Sequence, residues 1–237
     1  MRTTGRMKIY LAVQFVLFGS VLFMQATGRH TAEDAFIYAC IAVNAFTAVT
    51  LAVQKLTLCT GEGKREVPLK RAALSDAHEI LLSGAALLLT LLADTLLVLL
   101  DIRHTAGVFL FCCVQILYGF ILYHRLPESR GKKKWLLSFF LLLIVPAAAA
   151  GTGLLEALAL FCFARLITNV IMAFCLAKQT HLLRDRLFAA GMLLFLGCDL
   201  CVGLRNLPVT RNIQDTAYAV NWLFYIPSQV LLVVSSV

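Results

Sequence analysis

Apolar residues run through this chain in blocks of about twenty, separated by short polar stretches. Blocks of that length cross a hydrocarbon core of about 30 Å as helices. Eight are predicted, at residues 8–27, 33–55, 79–100, 105–125, 135–150, 153–177, 186–205 and 216–235. The predicted fold class is therefore all-α: one transmembrane domain over residues 1–237, a polytopic integral membrane protein of eight transmembrane helices. The fifth block, "WLLSFFLLLIVPAAAA", is the shortest, and Pro146 kinks its outer end before the Gly151 and Gly153 turn.

The polar positions inside those blocks are few, and they fall into register. "LLTLLADTLLVLLDIRH", residues 89–105, sets Asp94 among leucines, where hydrocarbon offers an ionised carboxylate no partner. Ser83, Thr90, Asp94 and Asp101 share one helical stripe of the third span. In the seventh span, "LLFLGCDLCVGLRN" carries Asp199 six residues before Arg205. Asp94 likewise stands six residues before the end of its span, so both carboxyl groups lie about 9 Å below the same boundary. The eighth span, "TAYAVNWLFYIPSQ", brings Tyr218, Asn221, Tyr225 and Gln229 near one face. Span six carries Arg165 and Asn169 one turn apart, span four Gln115 and Tyr118, and span two Asn44. Together these residues predict a polar chamber open toward the outer half of the membrane. Intramembrane Asn, Gln and Tyr also serve simply to bond helix to helix. Arg165 is the more demanding case, since a mid-span cation costs about 2.5–3.5 kcal/mol on insertion scales and calls for an anion.

Charge and composition agree with the pattern. Hydrophobic residues make up 60% of the chain and charged ones 14%, and the mean hydropathy is +0.85. Of the 21 Lys and Arg residues, sixteen fall in loops of one parity, four in the others, and Arg165 within a span. The positive-inside rule then places both termini in the cytoplasm. The net charge of +8 is explained by loops facing anionic headgroups, with no nucleic-acid partner implied. Short loops fit a multi-pass protein of a bacterial cytoplasmic membrane. The N-terminal block is too long for a secretory signal and reads as a retained first span. All cysteines except Cys59 lie in predicted spans, where they pack as small apolar residues; the Cys198/Cys201 CxxC has no second pair or His-rich partner for zinc.

These residues resemble those of a known family. "GAALLLTLLADTLLVL" is similar to the third-span pattern of the lysoplasmalogenase (YhhN-like) family, with its aspartate at Asp94. "GMLLFLGCDLCVGL" is similar to the seventh-span pattern, with the second aspartate at Asp199, and "YIPSQVLL" to the closing pattern, with Tyr225 and Gln229. The resemblance covers spans three to eight, and the first two only by length. It departs at "CCVQILYGF", where Gln115 stands in place of the family's usual His three residues before Tyr118, and it lacks the Lys-Pro pair usual in the second span.

The resemblance implies an eight-span membrane hydrolase that cleaves the vinyl ether bond of lysoplasmalogens, releasing a fatty aldehyde and a glycerophospho-alcohol without cofactor or metal. The chemistry suits two carboxyl groups. Protonation of the alkene carbon gives an oxocarbenium ion that water attacks, so one acid and one anion or base are needed, as in glycosidases. Asp94 and Asp199 are the expected pair. Arg165, Asn169, Gln115, Tyr118, Asn221, Tyr225 and Gln229 are the expected contacts to a lysophospholipid or to water, with Arg165 facing the phosphate. No GxSxG or HExxH pattern offers a different hydrolytic route. A second reading stays open: a non-catalytic protein that binds or transports a lipid or small solute through the same chamber. Spans three and seven share an apolar run, a small residue and Asp, as duplicated halves of a transporter do. A retinal-type receptor is disfavoured by the absence of a span-seven lysine.

Overall fold

The computed structural model describes residues 5–27, 30–61, 67–100, 102–126, 153–206 and 211–236. Among them every regular element is a helix: α1 (Gly5–Thr27), α2 (His30–Gly61), α3 (Val67–Asp94), α4 (His104–Arg125), α5 (Leu154–Thr180), α6 (Leu183–Asn206) and α7 (Arg211–Ser235). All seven are long and apolar enough to cross a membrane. They correspond to predicted spans one to four and six to eight; the predicted fifth span, with Pro146, lies outside the described residues. Helices α2 and α3 begin or end well beyond their apolar blocks, because backbone hydrogen bonding continues into the polar flanks where water replaces lipid.

Sequential neighbours pack together from α1 to α7, and α7 returns to lie against α2. Helices α2 to α7 thus enclose an interior, with α1 set against α2 and α7 from outside. Large apolar side chains face outward, among them Phe15, Phe46 and Leu154, each at least 70% exposed. Lipid is their solvent. The interior holds an apolar core around Tyr118, Leu166, Met192, Phe195 and Trp222, together with nearly all the polar residues of the spans.

Two kinds of contact hold the helices in place where apolar burial cannot, since lipid tails compete equally well for leucine. The first is close backbone approach. A Cβ at Gly191 would stand 3.1 Å from the Ser228 carbonyl oxygen and 3.1 Å from Leu232 Cγ, and one at Gly197 would meet the Phe224 ring at 3.1 Å. Small residues therefore let α6 and α7 touch. Gly191→Val should destabilise the protein by about 1–3 kcal/mol, the usual cost of overpacking, read as a lowered thermal midpoint in detergent.

The second is polar bonding between helices. Tyr10 donates to Asn44 Oδ1 at 2.5 Å, and Gln14 Nε2 donates to the same oxygen and to the Cys40 carbonyl, each at 3.0 Å. Asn44, grouped with the chamber by sequence, is thereby engaged by α1. Its side chain works as glue. Tyr10→Phe should cost about 0.6 kcal/mol, the average for such intramembrane bonds, in a reversible unfolding titration.

At the end of the bundle where α4 stops, a buried ionic knot joins four helices. Arg125 Nε donates to Glu79 Oε2 at 3.0 Å and an Arg125 terminal nitrogen to Asp185 Oδ1 at 3.2 Å, while Thr180 Oγ1 donates to Asp185 Oδ2 at 2.7 Å. The guanidinium also lies 5.3 Å from the centre of the Phe188 ring. Arg125 counts by sequence among the loop cations, yet only 5% of its side chain is exposed. The turn from α5 to α6 makes this possible: His181 takes the left-handed conformation, φ 56°, and reverses the chain within a few residues of Thr180.

Candidate functional site

The third-span stripe is buried as its spacing predicts: Ser83, Thr90 and Asp94 are each at most 5% exposed, while Asp101 lies outside the described residues. The backbone just beyond Asp94 departs from the regular helix that the leucine run predicts. Regular α-helix ends at Asp94 and continues as a single π turn over Thr95–Leu99, with Leu100 N–H bonded to the Thr95 carbonyl at 3.0 Å. Such wide turns recur at functional sites. The Thr95 hydroxyl donates to the Leu91 carbonyl at 2.7 Å, so the 3.1 Å contact with Tyr38 is donated by the tyrosine, which ties the turn to α2. On the other side, a Cβ at Gly107 would lie 2.5 Å from Leu97 Cγ; α4 can accept the bulging turn only because that position has no side chain.

Tyr225, from α7, donates its hydroxyl to Asp94 Oδ2. Its ring is held edge-on by Phe195 and by Trp222, both with centroids 5.9 Å away, and Trp222 in turn meets Tyr218 at 6.3 Å. The three α7 aromatics make a continuous stack from the end of the helix inward to Asp94. Pro227, two residues beyond Tyr225, lacks the N–H that would have bonded to the Leu223 carbonyl. Ser228 compensates nearby by donating to the Tyr225 carbonyl at 2.7 Å, and Gln229 Nε2 donates to the Ser228 hydroxyl at 3.3 Å.

Asp199 stands in different surroundings. It is partly buried and accepts no hydrogen bond from any described residue. Its neighbours include the free thiols of Cys112 and Cys162, on α4 and α5, of which Cys112 donates to the Leu158 carbonyl at 3.4 Å. Cys198, adjacent on α6, lies within electrostatic reach of both Asp199 and Asp94 and donates to Asn221 Oδ1 at 3.1 Å. The CxxC cysteines are thus a packing pair, one of them fastening α6 to α7.

The remaining predicted residues are buried in the same interior, and the structure sorts them into linked groups. Asn169 Nδ2 donates to the Gln115 carbonyl at 2.8 Å and to Gln115 Oε1 at 3.1 Å, joining α5 to α4. Gln115 is therefore half committed to its neighbour. Arg165, one turn earlier on α5, is fully buried. Tyr118 packs edge-on against Phe188 at 5.9 Å. Several buried polar atoms here have no hydrogen-bond partner among the described residues: Gln115 Nε2, the Tyr118 hydroxyl, Asn169 Oδ1, Trp222 Nε1 and Gln229 Oε1. Buried polar groups are normally bonded, so such a concentration marks an interior suited to water or a polar ligand. Sequence reasoning did not single out Trp222, Phe195 or Tyr38, because an aromatic within an apolar run looks like core until its neighbours are known.

No curated protein and no solved structure matches the chain. The sequence model of the YhhN family does, over residues 47–236, a stretch that includes Asp94, Asp199 and every chamber residue from α3 to α7. It covers well over half of the 237 residues, and the chain belongs to the YhhN family.

Proposed function

We propose that the protein is a membrane-embedded lipid hydrolase of the lysoplasmalogenase kind, cleaving the vinyl ether bond of a lysoplasmalogen to a fatty aldehyde and a glycerophospho-alcohol. The observation that carries this reading is Asp94: a buried carboxyl at the break between α and π geometry, engaged by the hydroxyl of Tyr225. A structural aspartate would be expected against a cation. Here it meets a neutral hydroxyl, and the second carboxyl, Asp199, has no donor among the described residues.

The two surroundings suit two roles. Asp199 donates its proton to the alkene carbon next to the alkyl chain, and the electron pair of the double bond forms the new C–H bond. The positive charge that results is shared by the adjacent carbon and the ether oxygen. Asp94, oriented by Tyr225, faces that oxocarbenium ion as an anion and takes a proton from the attacking water. The hemiacetal so formed collapses: its hydroxyl gives its proton back to Asp199, the freed electron pair forms the aldehyde C=O as the bond to the glycerol oxygen breaks, and that oxygen takes the proton held by Asp94, which restores both carboxyl groups. Gln115, Asn169, Asn221 and Gln229 orient water and glycerol oxygens, Tyr118 lines the same space, and Arg165 meets the phosphate. Because the substrate has a single chain, it enters sideways between helices.

The test is the fate of solvent hydrogen. Purified protein turned over in deuterated water should release fatty aldehyde carrying one deuterium on the carbon next to the carbonyl, trapped by immediate reduction. Well-folded protein that binds the lipid but leaves the vinyl ether intact would overturn the hydrolase reading and favour a lipid-binding or transporting role for the same chamber.

A further inference from the structure

The π turn that carries the chain out of α3 has little burial of its own to hold it. Asp94 is buried, but none of the residues Thr95–Leu99 is, and Leu99 and Leu100 are exposed. In lipid, apolar contact does not favour one placement of such a turn over another, because acyl chains offer leucine an equal surface. Two specific contacts fix it instead. Leu97 seats against Gly107 of α4, and the Thr95 hydroxyl meets the hydroxyl of Tyr38, on α2, at 3.1 Å.

The contact with α2 is a relay of two bonds. Tyr38 donates to Thr95 Oγ1, whose own proton goes to the Leu91 carbonyl at 2.7 Å. Hydrogen bonds linked in this way polarise and strengthen one another. The arm that carries the tyrosine is rigid: Ile37, Cys40 and Ile41, all within one turn of Tyr38, are fully packed into the interior. Thr95 is the peptide neighbour of Asp94, so a tie to its side chain fixes the backbone on one side of the carboxyl while Tyr225, from α7, engages the carboxyl itself. Catalytic groups need placement to within about 0.5 Å, which a fraying turn at a helix end does not give.

We propose that Tyr38 is a positioning residue: through Thr95 it pins the start of the π turn and so holds the Asp94 carboxyl in its orientation toward Tyr225. Its effect on turnover rests on the hydrolase reading; its effect on the Asp94–Tyr225 pair does not. Tyr38 precedes residue 47, where the YhhN match begins, so the site extends into a part of α2 that the match does not include. A bond that served only to fasten α2 to α3 would add stability and leave the Asp94 carboxyl as it is. That difference is measurable.

The test compares purified wild type with Tyr38→Phe, Thr95→Val, the double variant and Thr95→Ser, at equal elution volume in one detergent. Tyr10→Phe is the control, since it breaks another tyrosine bond to α2, the one to Asn44. With lysoplasmalogen as substrate, Tyr38→Phe and Thr95→Val should each lower kcat by about 3–10-fold, the contribution of one hydrogen bond, with KM unchanged. The double variant should be no worse than either single, because both remove the same bond. Thr95→Ser, which keeps the hydroxyl, and Tyr10→Phe should retain the wild-type kcat. Infrared spectra give a second readout, independent of turnover. The carboxyl band of isotope-labelled aspartate that Asp94→Asn removes should shift in Tyr38→Phe, as it does in Tyr225→Phe, and stay in place in Tyr10→Phe. An unshifted band in Tyr38→Phe overturns the proposal, as does a kcat loss that Tyr10→Phe reproduces or a raised KM with kcat intact. The two readings fail separately. A shifted band in a protein that releases no aldehyde removes the hydrolase and leaves the role of Tyr38; aldehyde release with an unshifted band does the reverse.

Discussion

Asp94→Asn is expected to reduce aldehyde release by about 10²–10⁴-fold, the usual contribution of a positioned acid or base. The amide keeps the size of the carboxyl and can still accept the Tyr225 hydrogen bond, so helix packing should be unchanged, as an unaltered thermal midpoint and elution volume will show. It cannot carry negative charge or take a proton from water. Asp199→Asn should lose a similar factor. On the proposed mechanism, in which both carboxyl groups act on one substrate, the double variant should be little worse than either single, as is usual for groups that work as a unit. Tyr225→Phe removes only the hydrogen bond that orients Asp94, a loss of about 10–100-fold by the strength of a bond to a charged group. A double variant whose losses multiply, or an Asp94→Asn protein with full activity, would remove the aspartates from the chemistry.

The largest expected effect on stability is at the other end of the bundle. Arg125→Met leaves Glu79 and Asp185 facing one another with no shared cation, each at most 10% exposed. Breaking a buried ion pair from one side costs about 3–5 kcal/mol, because the stranded charge has lost its water as well as its partner. Replacing all three together, Arg125→Met with Glu79→Gln and Asp185→Asn, should recover most of the loss, since no charge is then left unpaired. Unfolding titrations of the single and triple variants in the same detergent check this. Arg184 offers little relief, as it is 3.8 Å from Asp185 and its side chain is 42% exposed. A single variant within about 0.5 kcal/mol of wild type would mean that the knot behaves as an ordinary surface pair.

Much of this architecture is legible in the sequence. Long apolar runs have few options in lipid, so seven described helices match the predicted spans closely. The burial of Asp94, Tyr225 and Gln229 on inward faces reflects the cost of polar atoms in hydrocarbon. The π turn is not legible, because "TLLVL" is apolar on every face and carries no period to interrupt. Nor is the Arg125 knot: a basic residue at a span end fits both a topological anchor and a buried partner, and only the meeting of α3, α4, α5 and α6 decides between them. The available signal is in Glu79 and Asp185, acids at the same ends as that cation. For Gln115, the sequence shows the replaced side chain but not that Asn169 holds it.

The π turn after Asp94 has a mechanical meaning. The π turn closes α3, with no further helix among the described residues before α4 begins at His104, so Asp94 stands where the regular helix ends and not within one rigid rod. Leu97 of that turn seats against Gly107 of α4, which fixes the place of the turn in the bundle. Held from α7 by Tyr225, the Asp94 carboxyl keeps its place even though regular helix stops at its own residue.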